Sequence, residues 1–368
     1  MRIGIDARLV YYSQAGIGQY ILNLVRELAH LDREDEFFIL QSRKDKMALT
    51  EGENFSRRSL WTPSHHRLEQ WTLPLEIGSL GLDILHSPDF IPPFRRNCRS
   101  IITIHDLAFL LYPHFLTAES ARYYGQIDQA VRYTDHIIAV SEATKKDAIR
   151  LLGVPRSKIT VVYEAANPIY RPLKEKGRVV EECAQRYGVS TPFILFVSTI
   201  EPRKNLPTLL RAYRRLLDEY KPEAKLVVVG ERGWLYDQVF TLTEELNLKD
   251  EVLYLGRVSV QDLLFLYNAA QLLVHPALYE GFGLPPLEAM ACGTPAIVAR
   301  VSSLPEVVGD AALLVDPEDE YGWTVAVWRV LTDDSLRAEL REKGLRRARL
   351  FSWEKAAGET LALYRSLG

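Results

Sequence analysis

Short apolar segments of strand length alternate with longer segments of helical periodicity along the chain. In the first half, the apolar segments lie at 2–5, 37–40, 83–86, 100–104, 136–140 and 159–163. Helical patterns lie between them, near 18–31, 68–79, 119–133 and 142–151. Continuous apolar strands separated by helices are typical of a parallel sheet that is covered by helices on both faces. The first half therefore predicts a Rossmann-like α/β domain.

The same alternation begins again after a segment rich in proline and charged residues at 170–192, where we place the linker. Strand-like segments follow at 193–197, 225–229, 252–255, 272–274, 296–299 and 312–315, and helical patterns at 319–331, 334–350 and 352–366. Ser352 is a plausible N-cap of the last helix. The pattern predicts an N-terminal Rossmann-like domain at 1–170, a C-terminal one at 171–350 and a final helix at 351–368.

Composition narrows the class of protein. The 368 residues carry a formal net charge of −3, with 47% apolar and 25% charged residues, so the whole chain gives no indication of nucleic-acid binding. The three cysteines have no paired spacing, which argues against a disulfide framework and a zinc site and favours a reducing cytoplasm. The N-terminus resembles a strand rather than a signal peptide, and no apolar segment is long enough for a membrane span. We expect a soluble, cytoplasmic protein.

One local segment is basic and contains exposed-type aromatic residues. Arginines at 57, 58, 67, 95, 96 and 99 surround Trp61 and Trp71. A solvated basic loop is the simpler interpretation of such a composition. The functional alternative is an interfacial patch that contacts anionic lipid, which would place the protein at the inner face of the membrane.

The most informative segment runs from Tyr279 to Pro295 and predicts a glycine-rich turn that leads from a strand into a short helix. Gly281 and Gly283 allow the backbone to approach a ligand, and the N–H groups and dipole of a helix start favour an anion. Glu288 lies in that helix and suits a ribose diol, whereas Glu280 precedes it on the loop. A phosphate between two polyols describes a sugar nucleotide. The structural alternative is a buried helix whose glycines serve only the turn.

Polar side chains also follow other predicted strands, where parallel sheets bind ligands. His105 and Asp106 end one strand, and Ser141 follows another, although a core hydrogen bond and a helix N-cap would explain these residues equally simply. Arg203 and Lys204 follow the first strand of the second half. Two cations at a helix start oppose the helix dipole, so we expect them to bind an anion.

A glycine loop near the N-terminus, Ala15 to Tyr20, suggests a dinucleotide site but lacks its spacing. The third glycine of the fingerprint would be at position 21, which is Ile21, and Gly16 lies too far beyond the strand for a tight turn. These departures disfavour a dehydrogenase. Glycines also end two strands of the second half, at Gly230 and before Arg257.

The Glu-x7-Glu segment, with Arg203, Lys204 and the N-terminal glycine loop in the expected order, closely resembles the retaining glycosyltransferases of family 4. The resemblance covers essentially the whole chain. It implies the GT-B fold, which has two Rossmann-like domains facing a cleft and a C-terminal helix that crosses back to the N-terminal domain. One departure is Val197-Ser198, where many relatives have Gly-Arg, so Arg203 must carry more of the charge.

The resemblance also implies roles for individual residues. Glu288 would bind the ribose, Glu280 would lie beside the donor sugar, and His105 would position sugar and acceptor. Arg203 and Lys204 would stabilise the departing diphosphate, so these two cations, His105 and Glu280 form the expected catalytic set. The remaining donor contacts would come from Gly16, Gly18, Gly230, Arg257, Val258, Gly281, Phe282, Gly283 and Leu284. The acceptor side would include Gln19, Tyr20, Asp106 and Ser141.

The activity implied is transfer of a hexose from a nucleotide sugar to a glycan or lipid-linked acceptor. The motifs resemble bacterial mannosyltransferases of polysaccharide assembly, which favours GDP-mannose as donor. The alternatives are a UDP-glucose-type or sucrose-phosphate-synthase-like enzyme, and a non-catalytic binding protein, although the latter would be expected to have lost His105, Lys204 or Glu280. The scheme requires no metal ion, the chain has no Asp-x-Asp, and no cofactor is expected because the nucleotide sugar is a substrate.

Overall fold

A computed structural model describes residues 1–12, 16–113, 118–189, 191–233 and 236–368. The chain divides into two compact units. Unit 1 consists of Met1–Glu164 together with Ser352–Gly368, and unit 2 consists of Ala165–Phe351. The sequence-based domains end at 170 and 350, and their final segment begins at 351.

Unit 1 contains a parallel sheet with the strand order β3-β2-β1-β4-β5-β6-β7 among the described residues. Apolar side chains such as Ile5 and Ile102 are completely buried in it, because helices cover both faces. The strands are β1 (Arg2–Asp6), β2 (Glu36–Ser42), β3 (Phe55–Leu60), β4 (Ile84–Ser87), β5 (Arg99–Ile104), β6 (His136–Ala139) and β7 (Ile159–Val161). The helices are α1 (Ile17–Leu31), α2 (Glu69–Ile77), α3 (Ala108–Leu111), α4 (Ala118–Tyr124), α5 (Ile127–Tyr133) and α6 (Glu142–Leu152).

Two features of unit 1 differ from the sequence-based prediction. The edge strand β3 was not predicted, because Arg57, Arg58 and their neighbours are polar and only partly covered. An edge strand needs no continuous apolar sequence. The single helix predicted at 119–133 is wrong, since it is interrupted between α4 and α5 at Gly125 and Gln126.

Unit 2 contains a second parallel sheet, with the strand order β10-β9-β8-β11-β12-β13. Its strands are β8 (Phe193–Val197), β9 (Lys225–Val229), β10 (Val252–Gly256), β11 (Leu272–His275), β12 (Ala296–Ala299) and β13 (Ala312–Val315). Its helices are α7 (Lys176–Tyr187), α8 (Leu206–Tyr220), α9 (Asp237–Glu245), α10 (Val260–Ala269), α11 (Leu284–Cys292), α12 (Leu304–Val308), α13 (Glu320–Thr332) and α14 (Asp334–Ala348). The predicted α/β class with two parallel-sheet domains is confirmed.

The segment predicted as a linker, 170–192, is part of the core of unit 2. It contains α7, whose Val179 and Cys183 pack with Tyr170 and Phe193 in one apolar cluster. Of the charged residues that suggested a linker, Lys174 and Glu175 precede α7, and Arg178 lies exposed in its first turn. A short amphipathic helix with many charges has too few apolar positions to be recognised by composition alone.

The last helix, α15 (Trp353–Leu367), belongs to unit 1 and packs against α1. The Oγ atom of Ser352 accepts a hydrogen bond from the amide of Lys355 at 3.1 Å, as the N-cap prediction requires. The hydroxyl of Tyr364 lies 2.6 Å from Nδ1 of the buried His86 in β4. The predicted return of the C-terminal helix to the N-terminal domain is thus confirmed.

Candidate functional site

Most of the predicted site residues of unit 2 lie where strands of its sheet end. The strand order reverses between β8 and β11, and parallel sheets bind ligands at the carboxyl ends of strands at such a switch point. Arg203 and Lys204 follow β8, and Glu280 follows β11. The chain topology alone therefore brings these three charged residues to one place.

Glu280 is buried and is surrounded by donors. Its Oε1 atom lies 2.6 Å from Nζ of Lys204 and 2.8 Å from Nε2 of His275, and its Oε2 atom lies 3.5 Å from Nη1 of Arg203. Burial alone would raise the pKa of Glu280, but Lys204, His275 and Arg203 outweigh burial and hold the pKa well below its usual range. Glu280 is therefore ionised at neutral pH and cannot serve as a general acid.

His275 was not singled out from the sequence, although it ends β11. Burial lowers its pKa, so the imidazole is neutral, and the carboxylate of Glu280 can only accept a hydrogen bond. Nε2 must therefore carry the proton. The Nδ1 atom is buried and has no hydrogen-bond partner among the described residues. The completely buried His275 thus helps to hold Oε1 of Glu280 in place through this hydrogen bond.

The short turn Pro202–Lys204 is fixed by the residue that follows it. Asn205 has a positive φ of 56° and starts α8. Its Nδ2 atom donates to the carbonyl oxygen of Pro276 at 3.0 Å and to that of Pro317 at 2.8 Å. These bonds tie the turn after β8 to the segments that follow β11 and β13. The position of Lys204 beside Glu280 is thus built into the backbone.

The glycine turn before α11 is held by two serines. The amide of Glu280 donates to Oγ of Ser302 at 2.8 Å, while Oγ of Ser303 donates to the carbonyl oxygens of Glu280 and Phe282 at 2.9 and 2.8 Å. Gly283 has a φ of 105°, and a Cβ atom there would lie 2.6 Å from a methyl group of Leu304. Only glycine fits this position.

The start of α11 offers fewer donors than an ordinary helix. The first four N–H groups of a helix have no intrahelical acceptor, but Pro285 and Pro286 carry no N–H. The donors that remain are the amides of Gly283 and Leu284, for which the described residues provide no acceptor. An anion at this helix start would consequently be bound by a very short stretch of backbone, within the predicted 281–284.

Glu288 lies in the middle of α11 in a different environment from Glu280. Its Oε2 atom accepts a hydrogen bond from the hydroxyl of Tyr267 at 2.7 Å. Burial raises the pKa of Glu288 to about 7, and the bond from Tyr267 offsets only part of that effect. The pKa values of the two acids are therefore shifted in opposite directions, because among the described residues cations lie beside Glu280 and not beside Glu288.

Gly230 follows β9 and was predicted to contact the donor, and the packing around it leaves no room for a side chain. Gly230 has a φ of 150°, and a Cβ atom there would lie 1.8 Å from the carbonyl oxygen of Ser198. Arg257, after β10, is exposed and pairs with Glu231 at 3.0 Å. Val258 packs partly against the core of unit 2. These three residues lie at the ends of strands on the β9 and β10 side of the sheet.

In unit 1, His105 follows β5 and is held through both ring nitrogens. Nδ1 lies 2.8 Å from Oε1 of the buried Glu164, and Nε2 lies 2.9 Å from the carbonyl oxygen of Pro88. Both neighbours are acceptors, so both nitrogens must carry protons. Burial would lower the pKa of His105, but Glu164 raises it above its ordinary value. The two contacts thus favour the imidazolium form of His105.

The N-terminal glycine loop is described from Gly16 onwards, and Ala15 lies outside the described residues. Gly16 has a φ of 45° and caps α1, whose first turn contains the buried Gly18. Gln19 is partly exposed. Tyr20 is buried, with its hydroxyl 3.3 Å from Oγ1 of Thr103 and its ring edge-on to His105. An acceptor could contact Tyr20 only after rearrangement.

The two other predicted acceptor-side residues, Asp106 and Ser141, accept hydrogen bonds from backbone amides at the starts of helices. Oδ1 of Asp106 accepts a hydrogen bond from the amide of Ala108 at 3.0 Å, and Asp106 remains partly exposed. Ser141 is completely buried, and its Oγ atom accepts from the amide of Thr144 at 3.0 Å. Ser141 therefore makes the helix N-cap hydrogen bond that the alternative interpretation of this residue predicted.

A buried ionic network in unit 1 was also not foreseen. Arg8 is completely buried and donates to Asp6 at 2.6 Å and to Glu69. Asp89 lies two residues after the end of β4. It contacts His65 and accepts a hydrogen bond from the hydroxyl of Tyr123 at 3.0 Å. The only sequence signal for the first group was that β1 ends at Asp6 and that Arg8 lies two residues further along the chain.

Comparison with known proteins gives two family matches that together cover both units. The sequence profile described as Glycosyltransferase Family 4 matches residues 15–168. The profile described as Glycosyl transferases group 1 matches residues 185–347. The two matches follow each other along the chain and leave only short segments outside them.

Individual relatives agree with these profiles. The O-antigen chain mannosyltransferase B of Escherichia coli is 33% identical over 391 residues, with 100% of both chains covered. The O-antigen chain mannosyltransferase RfbU of Salmonella typhimurium is 31% identical over 237 residues, which cover 64% of this chain and 61% of that protein. Among solved structures, sucrose-phosphate synthase from Thermosynechococcus elongatus matches with a TM-score of 0.81 and 22% identity, covering 100% and 99% of the two chains.

Proposed function

The chain belongs to glycosyltransferase family 4, and on that basis we propose that it transfers mannose from GDP-mannose to a glycan or lipid-linked acceptor with retention of configuration. The observation that carries the choice of sugar is the relative named O-antigen chain mannosyltransferase B, which is 33% identical over the complete chain. The cluster of Glu280, Lys204 and Arg203 supports the chemistry.

The two cations of this cluster suit a leaving group that becomes more negative during the reaction. Lys204 and Arg203 are opposed by the carboxylates of Glu280 and Glu201, the latter 2.9 Å from Nη2 of Arg203. The cations are therefore stabilised before a donor arrives. Diphosphate gains negative charge as the bond to the anomeric carbon breaks, and preorganised donors aimed at that charge favour the transition state.

Lys204 is the residue best placed to respond to that charge. Its ammonium group has three N–H donors, and the hydrogen bond to Glu280 uses one of them. The amides of Gly283 and Leu284 add uncharged donors at the start of α11. In the proposed scheme no side chain acts as a covalent nucleophile. The acceptor hydroxyl attacks the anomeric carbon on the face from which the diphosphate departs, and its proton passes to the departing diphosphate oxygen. No metal ion is used.

Unit 1 is proposed to bind the acceptor. Gln19 and Asp106 are partly exposed and carry the hydrogen-bonding groups that sugar hydroxyls require. His105 is proposed to contribute its positive charge and to fix the end of β5, because both of its nitrogens are held by Glu164 and Pro88. Tyr20 packs against the His105 ring and supports its orientation.

The donor is tested by binding and hydrolysis with a panel of sugar nucleotides. We expect isothermal titration to show the tightest binding for GDP-mannose, and slow release of mannose from it in the absence of an acceptor. UDP-glucose and UDP-galactose should bind more weakly, and a chelator should change neither measurement.

The outcomes separate the parts of the proposal. A preference for a UDP-sugar would contradict the donor and favour the UDP-glucose-type alternative. Binding of every nucleotide without hydrolysis or transfer would indicate a binding protein. Loss of turnover in the presence of a chelator would contradict the metal-free scheme.

Nucleotide affinity should depend on pH through Glu288. Its pKa of about 7 means that the group is mostly protonated at pH 6 and mostly ionised at pH 8. A carboxylate accepts both hydrogen bonds of a ribose diol, so we expect GDP-mannose to bind about tenfold more weakly at pH 6 than at pH 8. A sugar nucleotide has no phosphate monoester, whose second pKa of about 6 would otherwise obscure the effect.

The variant Glu288→Gln should bind GDP-mannose weakly at both pH values. Glu245→Gln, which changes an exposed acid on α9, is the matched control and should keep the tenfold dependence. Equal pH dependence in both variants would show that another group is responsible.

We also propose that the protein is cytoplasmic and contacts an anionic membrane peripherally. Trp61 and Trp71 are 71% and 63% exposed, and guanidinium groups of Arg43 and Arg95 lie over their rings at 3.8 and 5.2 Å. None of the described helices has both the length and the apolar character needed to cross a bilayer. Exposed tryptophans paired with arginines are suited to the membrane interface.

A further inference from the structure

Tyr267 of α10 directs its hydroxyl at an ionisable group rather than at the backbone. Its ring is completely buried, and the hydroxyl donates to Oε2 of Glu288 on the adjoining helix α11 at 2.7 Å. A buried hydroxyl needs an acceptor, and most side-chain hydrogen bonds in proteins go to backbone or water. The buried Tyr213 of the same unit follows that rule and donates to the carbonyl oxygen of Ala224 at 2.9 Å. The choice of Glu288 as partner therefore calls for an explanation.

Two further contacts fix the position of Tyr267. Its ring meets the ring of Tyr170 edge-on, with the two centres 5.4 Å apart. Its carbonyl oxygen accepts a hydrogen bond from Oγ1 of the buried Thr294, which lies two residues beyond the end of α11. Tyr267 is thus joined both to α11 itself and to the residues that follow it. Its hydroxyl consequently keeps a constant position relative to the helix that carries Glu288.

The bond to one carboxylate oxygen leaves the other oxygen of Glu288 available to a ligand. Glu288 is partly exposed, and Oε1 is neither buried nor hydrogen-bonded to any of the described residues. A glutamate side chain has several rotatable bonds, and holding it in one orientation costs conformational entropy. The bond from Tyr267 favours one orientation before a ligand arrives. Because each carboxylate oxygen accepts two hydrogen bonds, Oε2 also keeps capacity for a ligand.

Neutral groups otherwise surround this carboxyl. Tyr170 and Cys292 lie near it, and burial together with the charge of Glu288 raises the pKa values of both. On the elements packed against α11, ionisable groups bond to other partners: Arg341 and Arg347 of α14 to the carbonyl oxygens of Gly293 and Val307, Asp262 of α10 to Arg186, and His275 of β11 to Glu280. Among the described residues, the hydroxyl of Tyr267 is therefore the donor that favours the ionised form of Glu288.

We propose that Tyr267 is a positioning residue of the donor site, which holds Glu288 so that both carboxylate oxygens meet the two hydroxyls of the nucleotide ribose. The inference rests on the proposed contact between Glu288 and the ribose. It does not depend on the base, because guanosine and uridine nucleotides share this ribose. Since the ribose takes no part in the reaction, Tyr267 acts on donor binding and not on the chemical step.

The affinities for GDP and 2′,3′-dideoxy-GDP, measured by isothermal titration at pH 9, test this role. The native protein should bind GDP about 10²-fold more tightly than the dideoxy compound, because only GDP donates two hydrogen bonds to the carboxylate. In Tyr267→Phe, which keeps the ring and removes only the hydroxyl, we expect this ratio to fall to about tenfold. At pH 9 the pH exceeds the pKa of Glu288 by about two units, so a change in ionisation contributes little.

Two further measurements on Tyr267→Phe distinguish positioning from a general loss of structure. The pH at which GDP-mannose binding weakens should move up by about one unit, because a hydrogen bond to the ionised form is lost. At pH 8 the Michaelis constant for GDP-mannose should rise about tenfold while the turnover number changes little, as expected for binding that is equal in the ground state and the transition state.

Tyr213→Phe is the matched control, since it removes the hydroxyl of a buried tyrosine that bonds only to the backbone. It should keep the native ratio and the native pH dependence. An unchanged ratio in Tyr267→Phe, or equal weakening of both ligands, would overturn the positioning role and leave the ribose contact of Glu288 intact. A native protein that does not distinguish GDP from its dideoxy analogue would overturn both. If the donor proves to be a UDP-sugar, UDP and its dideoxy analogue give the same test.

Discussion

Replacing Lys204 by alanine should lower the turnover number about 10²–10³-fold, which is the loss typical of removing one donor that stabilises a developing negative charge. Lys204 lies 2.6 Å from Glu280 and, in the proposed scheme, faces the diphosphate with its remaining N–H donors. Initial rates with GDP-mannose and an acceptor measure the effect. The Michaelis constant should change less, because the charge is greatest in the transition state.

The same substitution also leaves Glu280 with fewer partners, so stability must be measured separately. A buried carboxylate that loses a cation is destabilising, although Arg203 and His275 remain beside Glu280. The double variant Lys204→Ala/Glu280→Gln removes both charges. We expect it to recover thermal stability while its turnover stays low, since the cation that faces the phosphate is still missing.

Lys249→Ala is the matched control for Lys204. Lys249 is 66% exposed and lies in the same unit. It should keep normal turnover and stability. Recovery of turnover in the double variant would show that Lys204 serves only to neutralise Glu280, and undiminished turnover in Lys204→Ala would remove this lysine from the site.

The second large effect concerns stability and arises from the ion pair of His105 with Glu164. Glu164→Gln should lower the free energy of unfolding at pH 6 by about 3 kcal/mol, because it leaves a buried imidazolium without its carboxylate. Glu164 is buried and the His105 side chain is only 16% exposed, and their closest atoms, Nδ1 and Oε1, lie 2.8 Å apart. Urea denaturation followed by circular dichroism gives the measurement.

The sign of the pH dependence follows from the raised pKa of His105. The pair contributes its full stability below the unfolded-state pKa of His, about 6.5, and loses it as the pH rises through the folded-state value. The difference between the native protein and Glu164→Gln should therefore be largest at pH 6 and shrink towards pH 9. A constant difference across this range would show that His105 is not the titrating partner.

Glu51→Gln, which changes an exposed acid of unit 1, is the control for this comparison. It should match the native protein at both pH values. His105→Gln provides an independent check, because it removes the titrating group and should abolish the pH dependence even if it alters stability.

Much of the fold was accessible from the sequence because buried parallel strands have continuous apolar sequences. The strands of both sheets except β3 were placed close to their observed positions, and the motif from Tyr279 to Pro295 gave the strand, turn and helix. The sheet order could not be predicted from such segments. The sheet order depends on which strands pair with each other. Because the strands are all similarly apolar, their sequences do not distinguish one pairing partner from another.

The partners of the site residues were harder to predict than the residues themselves. Glu164 follows β7 and His275 ends β11, and each meets its partner only because separate strands end side by side. Distances of this kind depend on tertiary structure and have no local signature. The same applies to Arg8, whose burial between Asp6 and Glu69 contradicts the usual preference of arginine for the surface.

The position of α15 constrains the order in which the protein can be completed during synthesis. His86 in β4 needs the hydroxyl of Tyr364, and α1 needs the face of α15, yet the ribosome makes α15 only after all of unit 2. Until then, the face of α1 that packs against α15 is uncovered, and Nδ1 of His86 lacks its partner, although Nε2 can still contact Thr103. Newly made chains should therefore depend on chaperones while unit 2 is translated, and the first unit should become protease-resistant last although most of it is made first.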